Sequence, residues 1–136
     1  MKSKVLIFAA IGFAIAQAGN VSALEADIVG AQIVRILVTD NEINGGCMAL
    51  LDRDITTSST SSVPLDCSTP SGASDRWVTF ACDAPEVGDW PSRNNAVRLF
   101  DTAQLAYAVQ SRVRIKVDDS RKINGHCTGT AIQVYR

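Results

Sequence analysis

The sequence predicts a mainly β domain in which five strands close into a small barrel and one helix stands between the third and fourth strands. Three observations carry this. Short runs rich in Val, Ile and Thr recur between clusters of Gly, Asn, Asp and Ser, the pattern of strands and turns. Residues 92–109 alone repeat apolar side chains at helical spacing. The last segments end in strand, Asn124-Gly125 and strand, the chemistry of a tight hairpin.

The first segment reads as an export leader, expected to span residues 1–23. Lys2 and Lys4 precede an apolar run from Val5 to Ala16, which is too short to cross a bilayer as a helix. Small residues then offer cleavage after Ala18, through Ala16-Gln17-Ala18, or after Ala23, through Val21-Ser22-Ala23. The second is preferred, leaving residues 24–136 as one domain in the periplasm or outside the cell.

Ile28 to Thr39 is dense in β-branched residues but alternates imperfectly, which predicts a long strand partly buried on both faces. Asp40 to Gly46 is a turn cluster, and Cys47 to Leu51 returns as the second strand. Half of residues 54–75 are Ser or Thr, so this stretch reads as a long loop that contributes nothing to a core and is tethered only at Cys67. Arg76 to Cys82 is the third strand, with Val78 and Phe80 on one face and Trp77 and Thr79 on the other. The helix starts near Ser92, whose hydroxyl is placed to cap free N–H groups. Its inward stripe is Ala96, Leu99, Phe100, Ala103, Ala106 and Tyr107, with Leu105 and Val109 on the far side. Arg112 to Asp119 alternates cleanly: Val113, Ile115 and Val117 face in, while Arg112, Arg114 and Lys116 face out. His126 to Tyr135 is the last strand.

The order β-β-β-α-β-β is that of the oligonucleotide/oligosaccharide-binding fold (OB-fold), a five-stranded Greek-key barrel. A sandwich of the immunoglobulin kind needs about seven strands and no central helix. In the barrel the second and third strands are antiparallel neighbours, and the third and fifth run parallel. Four cysteines allow three connectivities, and this geometry selects Cys47–Cys82 and Cys67–Cys127. An even cysteine count in an exported chain fits disulfides, and no two cysteines have the close spacing of a zinc site.

The segment "LFDTAQLAYAVQSRVRIKVDDSRKINGHCTGTAIQVY" resembles the helix, strand, loop and strand of bacterial enterotoxin binding subunits, which are OB-folds. The likeness lies in "DTAQLAYA" and in a strand ending at Val117 before a polar loop. The cysteine placement and the Asn-Gly turn also resemble small exported bacterial proteins of unknown function. The toxin resemblance implies a ring of five subunits that binds cell-surface sugars. Where the toxin loop carries a tryptophan that stacks on sugar, this chain has Asp118 and Asp119.

Charge narrows the function classes. The full chain carries a formal −1, and loss of Lys2 and Lys4 makes the mature domain two units more negative. A mildly acidic surface does not favour a phosphate backbone. The stripe Arg112, Arg114 and Lys116, with Arg121 and Lys122 beyond it, reads as a solvated outer strand face without interleaved aromatics. Nucleic acid is therefore not an expected partner. Asp40, Glu42, Asn44 and Gly45 match the opening of a calcium loop, but Leu51 stands where its closing glutamate belongs, so no metal and no cofactor are expected. Asp118 and Asp119 read as a solvated loop start, and His126, the single histidine, as a half-exposed turn residue. An enzyme would need these three to converge on one pocket. The expected function is non-enzymatic recognition of a protein, peptide or glycan, with candidate contacts at Trp90, Asn44, Asp118, Lys122, Asn124 and His126. Self-association through Leu105 and Val109 stays open, as does a toxin-like ring.

Overall fold

The first strand owes its shape to a glycine. In the computed structural model, which describes residues 24–40, 44–57, 60, 64–67, 76–83 and 92–135, β1 (Glu25–Val38) is broken in phase at Gly30. Gly30 has φ +73°, and the pairing register shifts between Val29 and Ala31. This is a β-bulge, in which one extra residue bends the strand. Ala26 and Ile28 point inward before it, Ala31 and Ile33 after it. The imperfect alternation thus records a phase change, and the outer face is buried only in part: Val29, Val34 and Val38 are exposed, while Gln32 and Leu37 are half-buried. The bend lets one strand pair with β4 (Arg112–Ile123) through its first half and with β2 (Cys47–Leu51) through its second.

β2 continues antiparallel to β3 (Trp77–Thr79), which runs parallel to β5 (His126–Tyr135) at Thr79 and Thr128. β4 and β5 form an antiparallel hairpin that closes the circuit. The sheet is therefore closed on itself in the order β1-β2-β3-β5-β4. Both residues of the Asn124-Gly125 turn have positive φ, +51° and +83°, as a two-residue hairpin loop of the favoured hand requires. β4 runs four residues past its expected end at Asp119. Asp119, Ser120 and Arg121 lie in a register shift between Asp118 and Lys122, which is why their sequence resembles a loop.

The helix α1 (Arg93–Ala108) follows β3. It lays Ala96, Phe100, Ala103 and Ala106 on the sheet, chiefly over β1 and β5. The small alanines allow close approach, and Phe100 meets Phe80 with ring centroids 5.9 Å apart. Two expectations for this helix need correction. Tyr107 lies on the predicted inward stripe but is 45% exposed, because it lines an open cleft with Gln32, Ile33 and Val34 of β1 rather than packing into the core. Ser92 occupies the N-cap position, but no side-chain capping bond forms; its carbonyl accepts from Asn95 and Ala96 instead. At the other end Gln110, with φ +54°, occupies the left-handed position usually given to glycine. Its N–H donates to the Tyr107 carbonyl and that of Ser111 to Ala106, the paired bonds of a Schellman cap.

The core runs from Ile28, Ala49, Leu51, Val78 and Phe80 to Val113, Ile115 and Val117. It also includes Ile55, Leu65 and Cys67. The Ser/Thr-rich stretch between β2 and β3 thus contributes three side chains to the interior, contrary to the expectation of a loop tied only at Cys67. The bonds from Asp66 N–H to Asp119 and from Lys122 to Asp66 hold it further. Disulfides join Cys47 to Cys82 and Cys67 to Cys127, with Cα–Cα separations of 5.7 and 5.2 Å, the pairing that the barrel geometry selected. Among the described residues, no helix is long and apolar enough to cross a membrane.

Candidate functional site

One end of the closed sheet gathers the β1–β2 connection, the exit of β3 and the β4–β5 hairpin. Its centre is Thr79, a fully buried hydroxyl on the shortest strand. Thr79 Oγ1 donates to the Asn44 carbonyl at 2.9 Å and accepts from the Ala81 N–H at 3.2 Å. A β-branched residue suits a strand, and its hydroxyl here replaces the backbone partner that the turning chain would lack. The Thr39 N–H donates to the Gly46 carbonyl, and the Asp83 N–H to that of Gly45. Thr79 Oγ1 also lies 3.4 Å from the carbonyl of Cys47, which is bridged to Cys82. Ala81 takes the left-handed conformation, φ +58°, which turns the chain out of β3 toward that bridge.

The two connections meet at the surface. Asn124 Nδ2 donates to Asn44 Oδ1 at 3.5 Å. Asn44 is half-buried, while Asn124 is exposed on the hairpin turn. His126, next along β5, is half-buried, and burial holds its imidazole below the usual 6.5. Lys122 is exposed and donates to both the carbonyl and the carboxylate of Asp66, at 3.0 and 2.7 Å. It therefore also serves to pin the long loop beside the Cys67–Cys127 bridge.

Asp118 departs from its expected role. It is 6% exposed and lies inside β4 rather than at a solvated loop start. Its Oδ1 accepts from the N–H and hydroxyl of Ser120 at 2.8 and 2.6 Å, and Oδ2 faces Arg121 Nε at 3.5 Å. Successive bulges turn this carboxylate onto its own chain, which sequence alternation could not indicate. Asp119 is half-buried and also bonds to the chain: Oδ1 accepts from the Leu24 N–H at 2.9 Å and Oδ2 from the Asp66 N–H at 3.2 Å. Neither aspartate hydrogen-bonds to His126. Trp90 lies outside the described residues.

The outward basic stripe is matched across the strand pair. Arg114 pairs with Asp27, and Lys116 Nζ lies 3.2 Å from Glu25. The Arg114 guanidinium, by hydrogen bonding first and charge second, holds the Asp27 carboxyl below the usual carboxylate range. Arg112 donates to the Gly30 carbonyl at 2.8 Å, closing over the bulge. The acidic residues that neutralise this face come from β1, some ninety positions away, so the stripe alone did not reveal them. Sequence reasoning also missed Thr79 and Asp66. A lone Thr in an apolar strand was the available signal for the first; nothing local marked the second.

No family model matches the chain, and neither a curated protein nor a solved structure matches it.

Proposed function

We propose that the chain is an exported, non-enzymatic recognition domain on an OB-fold barrel, and that it binds a protein, peptide or glycan at the end described above. The observation that carries this reading is the Asn44–Asn124 contact at 3.5 Å. It sets the β1–β2 connection against the β4–β5 hairpin, the two loops through which OB barrels take their ligands. The strand order, the parallel β3–β5 contact and the helix after β3 fit that barrel. Amide groups at Asn44 and Asn124, with the Lys122 ammonium nearby, suit hydroxyl-rich or peptide ligands that offer both donors and acceptors. Pairing of Arg114 and Lys116 with Asp27 and Glu25 removes the charge a nucleic-acid track would need. Asp118 and Asp119 are engaged with their own chain, which favours binding over acid–base chemistry. Two disulfides favour an oxidising compartment and hence export.

The test is binding of the exported protein to glycan and peptide arrays, repeated with Asn44→Ala and Lys122→Ala and with single-stranded DNA as a control. Specific retention that falls at least about tenfold in Asn44→Ala, equivalent to ~1.4 kcal/mol, supports the reading. Undiminished retention by both variants, or retention on DNA alone, overturns it. A second reading, the toxin-like ring that binds glycans, is favoured by Leu105 and Val109, which are 59% and 57% exposed on the outer side of α1. A native mass several times the 14.5 kDa of the chain would favour it over a lone module.

A further inference from the structure

We infer that Leu24 becomes the first residue of the processed protein and that its α-ammonium is bound by Asp119, so that removal of the leader completes an ion pair within the fold. The inference rests on the export reading above and names a processing site within it. Its geometric basis is a reciprocal pair of bonds. Leu24 N–H donates to Asp119 Oδ1 at 2.9 Å, and Asp119 N–H donates to the Leu24 carbonyl at 3.1 Å. Leu24 also packs against the core, and the β1–β4 ladder starts at the next residue, where Glu25 faces Asp118. Asp119 is fixed from its other side by the Asp66 N–H, on the segment stapled through Cys67 to Cys127.

The surrounding charges single out Asp119. Asp118 faces Arg121, Glu25 faces Lys116, and Asp66 faces Lys122. Among the described residues Asp119 forms no ion pair with a side chain; its partners are two neutral backbone N–H groups. Cutting the Ala23–Leu24 bond supplies the missing cation. Water, with a host endoprotease that cuts after a small residue, adds across the amide. Its oxygen stays on the Ala23 carbonyl carbon as carboxylate, and its two hydrogens convert the Leu24 N–H into an ammonium. The residues before the bond, Val21-Ser22-Ala23, have the small or short side chains such a protease accepts. Cutting after Ala18 would instead leave the Leu24 nitrogen an uncharged amide.

The full chain is produced in an exporting bacterial host and its intact mass is measured. A start at Leu24 supports the inference. A start at Gly19 overturns it while leaving export standing, and a start at Met1 overturns both. The ion pair is then read by the rate at which an amine-reactive ester acylates the α-amine near neutral pH. Asp119→Asn keeps an acceptor oxygen but removes the charge, so acylation is expected to quicken about fivefold, the factor for an ion pair of ~1 kcal/mol. Equal rates in the two proteins overturn the pairing. Should Asp119→Asn fail to fold, the wild-type rate is followed with added salt. A rise supports the pair, and a flat response overturns it.

Discussion

Gly129→Ala tests the packing of the interior at one atom. Gly129 lies on β5 opposite Val117. A Cβ added there would stand 2.9 Å from Phe80 Cε1, 3.1 Å from Val78 Cγ1 and 3.2 Å from Phe80 Cδ1. Each approach is closer than ordinary contact. Phe80 and Val78 are fully buried, and Phe80 packs against Phe100 at 5.9 Å, so any shift of the ring must displace its neighbours. Overpacking of this kind costs about 1–3 kcal/mol. Opposing it, alanine restricts the unfolded chain and returns about 0.4–1 kcal/mol. The net expectation is a loss of about 1–2 kcal/mol, or roughly 4–8 °C in Tm for a domain of this size. Urea unfolding with the disulfides intact, followed by Trp fluorescence, measures it. Phe80→Leu makes room, so the double variant should lose less than the two single variants together. An unchanged or raised midpoint for Gly129→Ala, or strict additivity, would refute the account.

Three further outcomes follow from the same geometry. Replacing Cys67 and Cys127 by alanine opens a separation of 60 residues against 35 for Cys47 and Cys82. The loop-entropy estimate is about 4 kcal/mol in each case, slightly larger for the first, and comparative unfolding of the two double variants checks the order. Gln110→Gly should raise stability by about 1 kcal/mol, because the helix cap already holds this position at φ +54°; a lower Tm would count against the cap. Acidification should act in two stages. His126 is held below 6.5, so the unfolded chain binds its proton first and stability begins to fall as pH drops through that value. Asp27, lowered by its bond to Arg114, and Asp52, lowered by its bond to Arg53, contribute stability above the ordinary 3.8 that is lost as pH falls through their folded values. His126→Asn should remove the first stage and Asp27→Asn should shrink the second, as read from unfolding midpoints across pH.

Much of the architecture was legible along the chain because strand and helix periods are local. Val113, Ile115 and Val117 alternate with cations and turn inward as read. Cys47 to Leu51 is a strand with the bounds its flanking turn residues implied. The phase break at Gly30 was visible only as irregularity, since a bulge looks like two-sided burial until the partner strands are known. The candidate site was less legible. Asn44 and Asn124 were named separately, and only the closed sheet brings them within 3.5 Å.

What the sequence determined by itself was the succession of elements, through residue spacing, turn chemistry and β-branching, all of which act over a few positions. What tertiary structure alone decided was the use of charge and of the polar loop. Asp118 and Asp119 became clamps on the backbone, and the basic stripe found its counter-ions on β1. Ile55 and Leu65 left a Ser/Thr-rich segment for the core. These outcomes depend on which distant backbone comes within hydrogen-bonding or van der Waals range, and closure of the sheet sets those distances.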